Sequence, residues 1–268
     1  MTPLYLERIS RTISESIKCS LLSDLDHRAT SPQSQGEVMT KNIIILGTSG
    51  NCIDILDTIS DINNTQRKNM YKCVGFLDDN ELHWGKEFQS IKVLGPLHTA
   101  TKYRDCSFVN GIGSSSNFWK KDVIISKTGI SLDRFENIIH PTASVSRTSK
   151  LGCGVVVFQN ATITSNVSIG NHVIILPNSV ISHDNVIGNF TCIAGGVCIS
   201  GCVVVGCSCY IGTNSSIIGS VKIGDYCLIG MSSVVLNNVE ENTVVVGNPA
   251  KVIRMTREKQ VFDVDNTI

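Results

Sequence analysis

From Val145 to Val235 the chain places Val, Leu or Ile at every sixth residue, sixteen positions in unbroken register. Even at about two aliphatics in five, chance gives such a run on the order of once in a million. The residue two places earlier is small, aliphatic or short and polar (Val155, Ala161, Ser179, Cys209), with Asn185 the one larger polar member. A period of six suits neither a 3.6-residue helix nor a bare strand alternating by two; it suits a short strand plus a turn, repeated. Residues two apart on a strand face the same way, so each hexad sends a pair inward. Gly152, Gly170, Gly188, Gly206 and Gly224 recur every eighteen residues. Three hexads therefore close one coil, and coils stack at the inter-strand spacing of about 4.8 Å. The pattern predicts a triangular parallel β-helix with an aliphatic interior, each buried side chain contributing roughly 1.5–3 kcal/mol.

The rest of the composition narrows the class. A chain of 268 residues allows one large or two modest domains. Charged residues are 17% and the net charge is zero, without the basic excess of a nucleic-acid binder. No apolar run approaches the ~20 residues of a membrane span, and the N-terminus lacks a secretory pattern. The expectation is a cytoplasmic protein with no membrane and no nucleic-acid partner. Eleven cysteines form no CxxC pair, and Cys209 and Cys227 fall at inward hexad positions, where Cys acts as a small hydrophobe. They read as reduced thiols rather than a disulfide framework.

In chain order, residues 1–40 read as a flexible N-terminal extension, with Leu6, Ile9, Ile13 and Ile17 at helical spacing and a polar stretch over 28–38. Residues 41–135 read as a small α/β domain of Rossmann type. Asn42–Gly47 is an apolar strand, Gly47-Thr48-Ser49-Gly50-Asn51 a Gly-rich turn, and Cys52–Ile62 a helix. Such a turn at a helix N-terminus suits a phosphate; a tight turn with no ligand stays open. A second strand, Lys72–Leu77, ends on Asp78-Asp79, which can accept hydrogen bonds from a ribose or base, or simply make a solvated turn. Ser107–Gly113 is a third strand and Lys120–Thr128 a helix, a β-α-β-β-α order. The G-x-G-x-x-G spacing is absent, which discounts NAD. The β-helix domain spans 136–254, opened by His140-Pro141, with residues 237–250 leaving the repeat and 255–268 a tail that is extended or frayed.

Three imidazoles lie in or beside the coils: His140, His172 and His183. His183 stands two residues past an inward Ile, beyond the strand, with Asp184 next to it. A carboxylate that fixes one imidazole nitrogen supports proton uptake at the other; an ordinary structural turn is the alternative. Metal-dependent hydration would need three convergent imidazoles. His172 and His183 are eleven residues apart, which does not return to one corner, so no metal is expected.

Residues 42–254 resemble the hexapeptide acetyltransferases that acylate nucleotide-linked amino sugars, a family with sialic acid O-acetyltransferase-like members. The resemblance rests on the turn at Gly47, the Gly75–Asp79 run GFLDD, His140-Pro141, Ile181-Ser182-His183-Asp184, the coil register and the ending Gly247-Asn248-Pro249-Ala250-Lys251. It implies a left-handed β-helix, His183 as general base and Asp184 as its orienting carboxylate. It places a nucleotide-linked amino sugar on the N-terminal domain, where Gly47, Ser49, Asn51, Asp78 and Asp79 are the candidates. It also implies a homotrimer with acetyl-CoA lying along the β-helix between two subunits. Gly201, one coil past His183, would offer its N–H to an oxyanion, and Gly219, one coil further, would let the pantetheine arm pass. Lys251 and Arg254 would meet the CoA phosphates or be plain surface cations. Two positions depart from the family: Asn51 stands where a His is usual, and Cys192 where some members carry a second His; Cys192 would touch the thioester arm or merely fill space. The implied activity is acetyl transfer to the amino group of a nucleotide-activated sugar, of 4-amino-4,6-dideoxy type, for a surface glycan. O-acetylation of a sialic acid and a non-catalytic scaffold remain as alternatives.

Overall fold

The computed structural model describes residues 40–256. The expected extension therefore lies outside the described residues up to 39, and the tail lies outside them from 257.

The first part is a sheet of five strands: β1 (Lys41–Leu46), β2 (Tyr71–Leu77), β3 (Glu87–Phe88), β4 (Ile91–Gly95) and β5 (Cys106–Asn110), in the order β3-β4-β2-β1-β5. The long strands run parallel, and β3 turns back antiparallel on β4. β1 lies between β2 and β5, and Ile43 to Leu46 have no exposed surface, which is why it reads as an unbroken apolar run. Helix α1 (Gly50–Gln66) presents Cys52, Ile55, Ile59 and Ile62 to the sheet at helical spacing. It starts two residues earlier and runs four further than the expected Cys52–Ile62. A short helix α2 (Lys121–Ser126) falls inside the expected 120–128. The hairpin of β3 and β4 is an addition to the expected β-α-β-β-α order.

The second part stacks two-residue strands into three sheets. The first face holds Ser144–Val145, Thr162–Ile163, Val180–Ile181, Cys198–Ile199, Ser216–Ile217 and Val234–Val235; the second runs from Lys150–Leu151 to Lys222–Ile223; the third from Ile138–Ile139 through Leu228–Ile229 to the final strands. Pairing is parallel with an eighteen-residue offset, as in Ile163 beside Ile181. The inward hexad positions from Val157 to Val235 are buried, and Val145 and Leu151 close the first coil half-covered. From Gly154 to Ser232 each corner turns through one residue at positive φ, among them Asn160, Asn166, Asn178, Asp184 and Asn214. Asn and Asp enter that conformation most readily of the residues with side chains. The six-residue spacing breaks after Val235, yet the stack continues: Val239 bridges Ile223, and Val245 pairs with Ile229. Lys251–Met255 then pairs antiparallel with Thr243–Val246.

The α/β part packs on the third face. The outward residues there, Ile138, Val156, Ile174 and Cys192, share one buried cluster with Ile43, Ile45, Cys52 and Ile55. On the other two faces the outward positions Ser144, Lys150, Cys198, Ser216 and Lys222 are exposed. Polar bonds reinforce the contact: Lys41 with Glu136 at 2.9 Å, and the buried Lys121 donating to the His172 carbonyl at 2.7 Å. No helix among the described residues is long and apolar enough to cross a membrane.

Candidate active site

His183 projects from the turn Ser182–Asn185, which joins the first face to the second. That turn is bonded from both neighbouring coils. Asp184 N–H donates to Ser165 O at 3.0 Å, Ser182 N–H to Ile199 O at 2.9 Å, and Cys202 N–H to His183 O at 3.0 Å. Asn185, the one large polar inward residue, donates to Ser182 O at 2.8 Å and accepts from Val203 N–H. The turn is therefore held from inside the coil as well.

Asp184 sits at φ +58°, and this left-handed step brings its carboxylate onto the adjacent ring: Nδ1 of His183 lies 2.7 Å from Oδ2. The other oxygen accepts from Asn166 Nδ2 at 3.2 Å, one coil earlier. These two bonds, the imidazole first, hold the Asp184 carboxyl below its ordinary range. An ionised carboxylate only accepts, so Nδ1 carries the proton and donates, and Nε2 keeps a lone pair. Both side chains are half-exposed on the prism edge.

Gly201 and Gly219 continue the column. A Cβ at Gly201 would stand 2.5 Å from His183 Cε1 and 2.7 Å from Nε2; one at Gly219 would stand 2.9 Å from Gly201 O. The absence of side chains here is what lets the ring lie flat along the edge. The Gly201 N–H makes no hydrogen bond among the described residues.

The other two imidazoles have structural surroundings. His140 accepts from Thr142 N–H at Nδ1 (3.1 Å) and so donates from Nε2 to Asp61 at 3.0 Å, tying the β-helix to α1. His172 is buried, stacked on Phe190 at 5.2 Å with Phe135 edge-on at 4.5 Å, and its Nδ1 has no partner. Burial, with nearby Lys121, pushes its pKa down to about 3.

The expected sugar-nucleotide residues gather at the carboxyl ends of the parallel strands. Gly47 takes φ +95° at the end of β1, Ser49 precedes α1, and Asn51 donates to Gly113 O at 3.1 Å, joining that turn to the one after β5. Asp78 accepts from Thr48 Oγ1 at 2.6 Å and from Asn80 N–H at 2.8 Å. Thr48 spends its proton on Asp78, so His83 Nδ1, 2.7 Å away, donates to it. Thr48 and His83 carried no distinguishing signal in the sequence. Asp79 accepts from Leu97 N–H and from Lys127, each at 3.0 Å; these outweigh the upward push of burial and hold its carboxyl below the usual range. Both of its oxygens thus serve the fold.

Cys192 requires a correction. The sequence left it open as a contact to the thioester arm or a filler, and it has no exposed surface and lies between the third face and the α/β part, near Gly113 and Lys121, which removes the first of the two roles. Burial pushes its thiol up to about 11. It fills the interdomain core. Lys251 and Arg254 are exposed on the final strand. His183, Asp184, Gly201 and Gly219 therefore share one edge, while Gly47, Ser49, Asn51 and Asp78 share the strand ends. Within one chain the two groups do not meet: the α/β part covers the third face, and the His183 corner is the edge opposite that face.

Residues 202–237, within the coils of six-residue rungs, match the family described as bacterial transferase hexapeptide (six repeats). No curated protein matches the chain in sequence. Among solved structures the fold is similar to the acetyltransferase domain of PglB from Neisseria gonorrhoeae FA1090, at 19% identity and a TM-score of 0.68, over 80% of this chain and 100% of that one. It is similar to a histidine-to-alanine mutant of GDP-perosamine N-acetyl transferase from Caulobacter crescentus, in complex with CoA and GDP-perosamine, at 22% identity and a TM-score of 0.69, over 82% and 100%. WeeI from Acinetobacter baumannii AYE is 25% identical with a TM-score of 0.67, over 80% and 100%.

Proposed function

We propose that this chain transfers the acetyl group of acetyl-CoA to the amino group of a nucleotide-activated amino sugar, of 4-amino-4,6-dideoxy type, in the assembly of a surface glycan. The observation that carries the reading is the His183–Asp184 pair: Nδ1 is tied to an ionised carboxylate, and Nε2 is left as an acceptor on an open edge. The fold neighbours that hold CoA and GDP-perosamine support the substrate class.

The chemistry follows from that arrangement. The sugar amine attacks the thioester carbonyl, a C–N bond forms, and the carbonyl oxygen takes the negative charge. The free N–H of Gly201 is the donor for that oxyanion. Nε2 of His183 accepts the ammonium proton, and Asp184 stabilises the resulting imidazolium. The C–S bond then breaks and CoA leaves as a thiolate, whose conjugate acid is near 8.5 and needs little help to depart. The imidazolium afterwards gives its proton to solvent or to the thiolate.

On this reading the β-helix is left-handed and the α/β unit is Rossmann-like, holding the nucleotide sugar with Gly47, Ser49, Asn51 and Asp78. Asp79 shapes that site through Leu97 and Lys127. Acetyl-CoA runs along the edge past Gly201 and Gly219 toward Lys251. Because the α/β unit sits across the prism from its own His183, the base serves a sugar held by a neighbouring subunit, as in a homotrimer. The protein works in the cytoplasm and uses no metal for the transfer. The test is to incubate the chain with acetyl-CoA and UDP-, GDP- and dTDP-linked 4-amino-4,6-dideoxyhexoses, and with free sialic acid, following CoA thiol release and product mass. An N-acetylated nucleotide sugar supports the proposal. Acetylation of sialic acid alone, or no transfer to any of them, overturns it.

A further inference from the structure

One coil above Asp184 lies a side chain that the acetyl-transfer chemistry leaves unused. Cys202 follows Asp184 by one coil, and both take the positive-φ position of the corner turn, at +61° and +58°. Cys202 N–H donates to the His183 carbonyl at 3.0 Å, so the thiol is held in register with the pair beneath it. A ligand atom from each of His183, Asp184 and Cys202 lies within 4.8 Å of the other two. Cys202 is partly exposed and the other two are exposed, so a solute reaches all three.

We propose that His183, Asp184 and Cys202 form a binding site for one zinc-class divalent cation, and that the bound ion switches the base off. The donor set is imidazole nitrogen, thiolate sulfur and carboxylate oxygen, which suits zinc and its thiophilic relatives. Magnesium and calcium favour all-oxygen shells and are excluded by the same set. Three protein donors leave the fourth tetrahedral position for water.

The step balances in protons. Cys202 loses its thiol proton to solvent as the sulfur binds the ion. Nδ1 exchanges its hydrogen bond to Asp184 for a bond to the same ion, and its proton is replaced by one on Nε2. The ring stays neutral, and one proton is released overall. Nε2 is then an N–H donor with no lone pair, so it can no longer take a proton from a sugar amine. The loss of activity rests on the proposed function; the metal site itself rests only on the convergence of the donors.

The experiment uses the full chain, freed of metal and kept reduced. Cobalt(II) is the first probe, because a thiolate ligand gives it a sulfur-to-metal charge-transfer band. The band should develop to one ion per chain in the natural protein, vanish in Cys202→Ser, and weaken in His183→Ala. Serine is tolerated at this turn, as Ser208, Ser220 and Ser232 take the same backbone conformation. In the second arm, zinc chloride should inhibit acetyl transfer reversibly on chelation, with magnesium chloride inert. Cys202→Ser should keep the metal-free rate and require about tenfold or more zinc for half inhibition. A charge-transfer band that persists in Cys202→Ser, or equal zinc sensitivity of the two proteins, overturns the proposal. If the chain transfers no acetyl group, the functional reading fails, and the cobalt band still decides the site.

Discussion

Gly201 lies directly against the imidazole of His183, so close that a methyl group at 201 would overlap the ring at 2.5 Å from Cε1. One coil of the β-helix thereby sets the ring position of the coil before it. Gly201→Ala should push the imidazole off Asp184 while the inward stack stays intact. A displacement of about 1 Å at a reacting group costs on the order of a hundredfold in rate. The expected result is a fall of that size in kcat with a thermal midpoint close to the natural protein, read from steady-state kinetics and a melting curve. An unchanged kcat would show that the ring does not need that place.

Asp184 makes two separable contributions, turn geometry and charge. Asparagine already fills the same turn position at Asn160, Asn166, Asn178 and Asn214. Asp184→Asn should therefore leave the coil undisturbed and remove only the charge that supports the imidazolium. The transfer rate should drop by about a hundredfold. Asn166→Ser, a residue the same turn holds at Ser208, Ser220 and Ser232, removes one exposed hydrogen bond to the same carboxylate, so its effect should stay within about tenfold. Parallel rate measurements on the two variants check the order of these effects.

The pH dependence of stability should come in part from His172. Its pKa is pushed down to about 3 by burial and by nearby Lys121, against about 6.5 in the unfolded chain. Between these values the unfolded chain binds a proton here that the folded chain does not. Stability is therefore full above about 6.5 and falls as pH drops toward 3, with a slope on the order of a kcal/mol per pH unit. Phe190 occupies the same corner one coil later, also at positive φ, so His172→Phe fits the turn and removes an unpartnered buried nitrogen. The variant should match or exceed the natural protein in stability at pH 7 and show a shallower acid slope. Denaturant titrations at pH 7 and pH 5 measure both.

The placement of the α/β unit predicts complementation between chains. A chain with His183→Ala lacks the proposed base, and one with Asp78→Ala lacks a residue of the proposed sugar site; each alone should be nearly inactive. When the two are refolded together in equal amounts, a site that draws its base and its sugar domain from different subunits is intact in about one case in four. Mixed assemblies should recover about that share of the natural rate. No recovery in assemblies shown to contain both chains would place base and sugar on one subunit.

The β-helix was legible because its determinant is local and repeated. Each hexad carries its own inward pair, and eighteen residues close a coil whatever the rest of the chain does. The same residues held a signal that the period alone does not use. Outward neighbours on the third face, Ile138, Val156, Ile174 and Cys192, are apolar and buried, whereas the other two faces mix Ser144, Lys150, Ser216 and Lys222 with Val180, Val186, Val204 and Val234, none of them buried. That contrast marks the face the α/β unit covers, and it shows why Cys192 is filler instead of a ligand contact. The β3–β4 hairpin was hidden because its strands are two and five residues long and border a polar stretch. Adjacent residues such as His183 and Asp184 pair only when the turn takes one particular hand, which composition does not specify. Asn166 joined the site through stacking, at a position visible only once the coil length was applied to Asp184.

The most direct measurement is the rate of acetyl transfer from acetyl-CoA to a nucleotide-linked amino sugar by the natural chain and by His183→Ala, with the fold of each verified by its melting transition. General base catalysis of this kind contributes about 10²- to 10⁴-fold, so the variant should melt with the natural protein and lose at least a hundredfold in kcat. A His183→Ala chain that keeps the natural turnover would contradict the assignment of the base, and with it the chemistry placed on that edge.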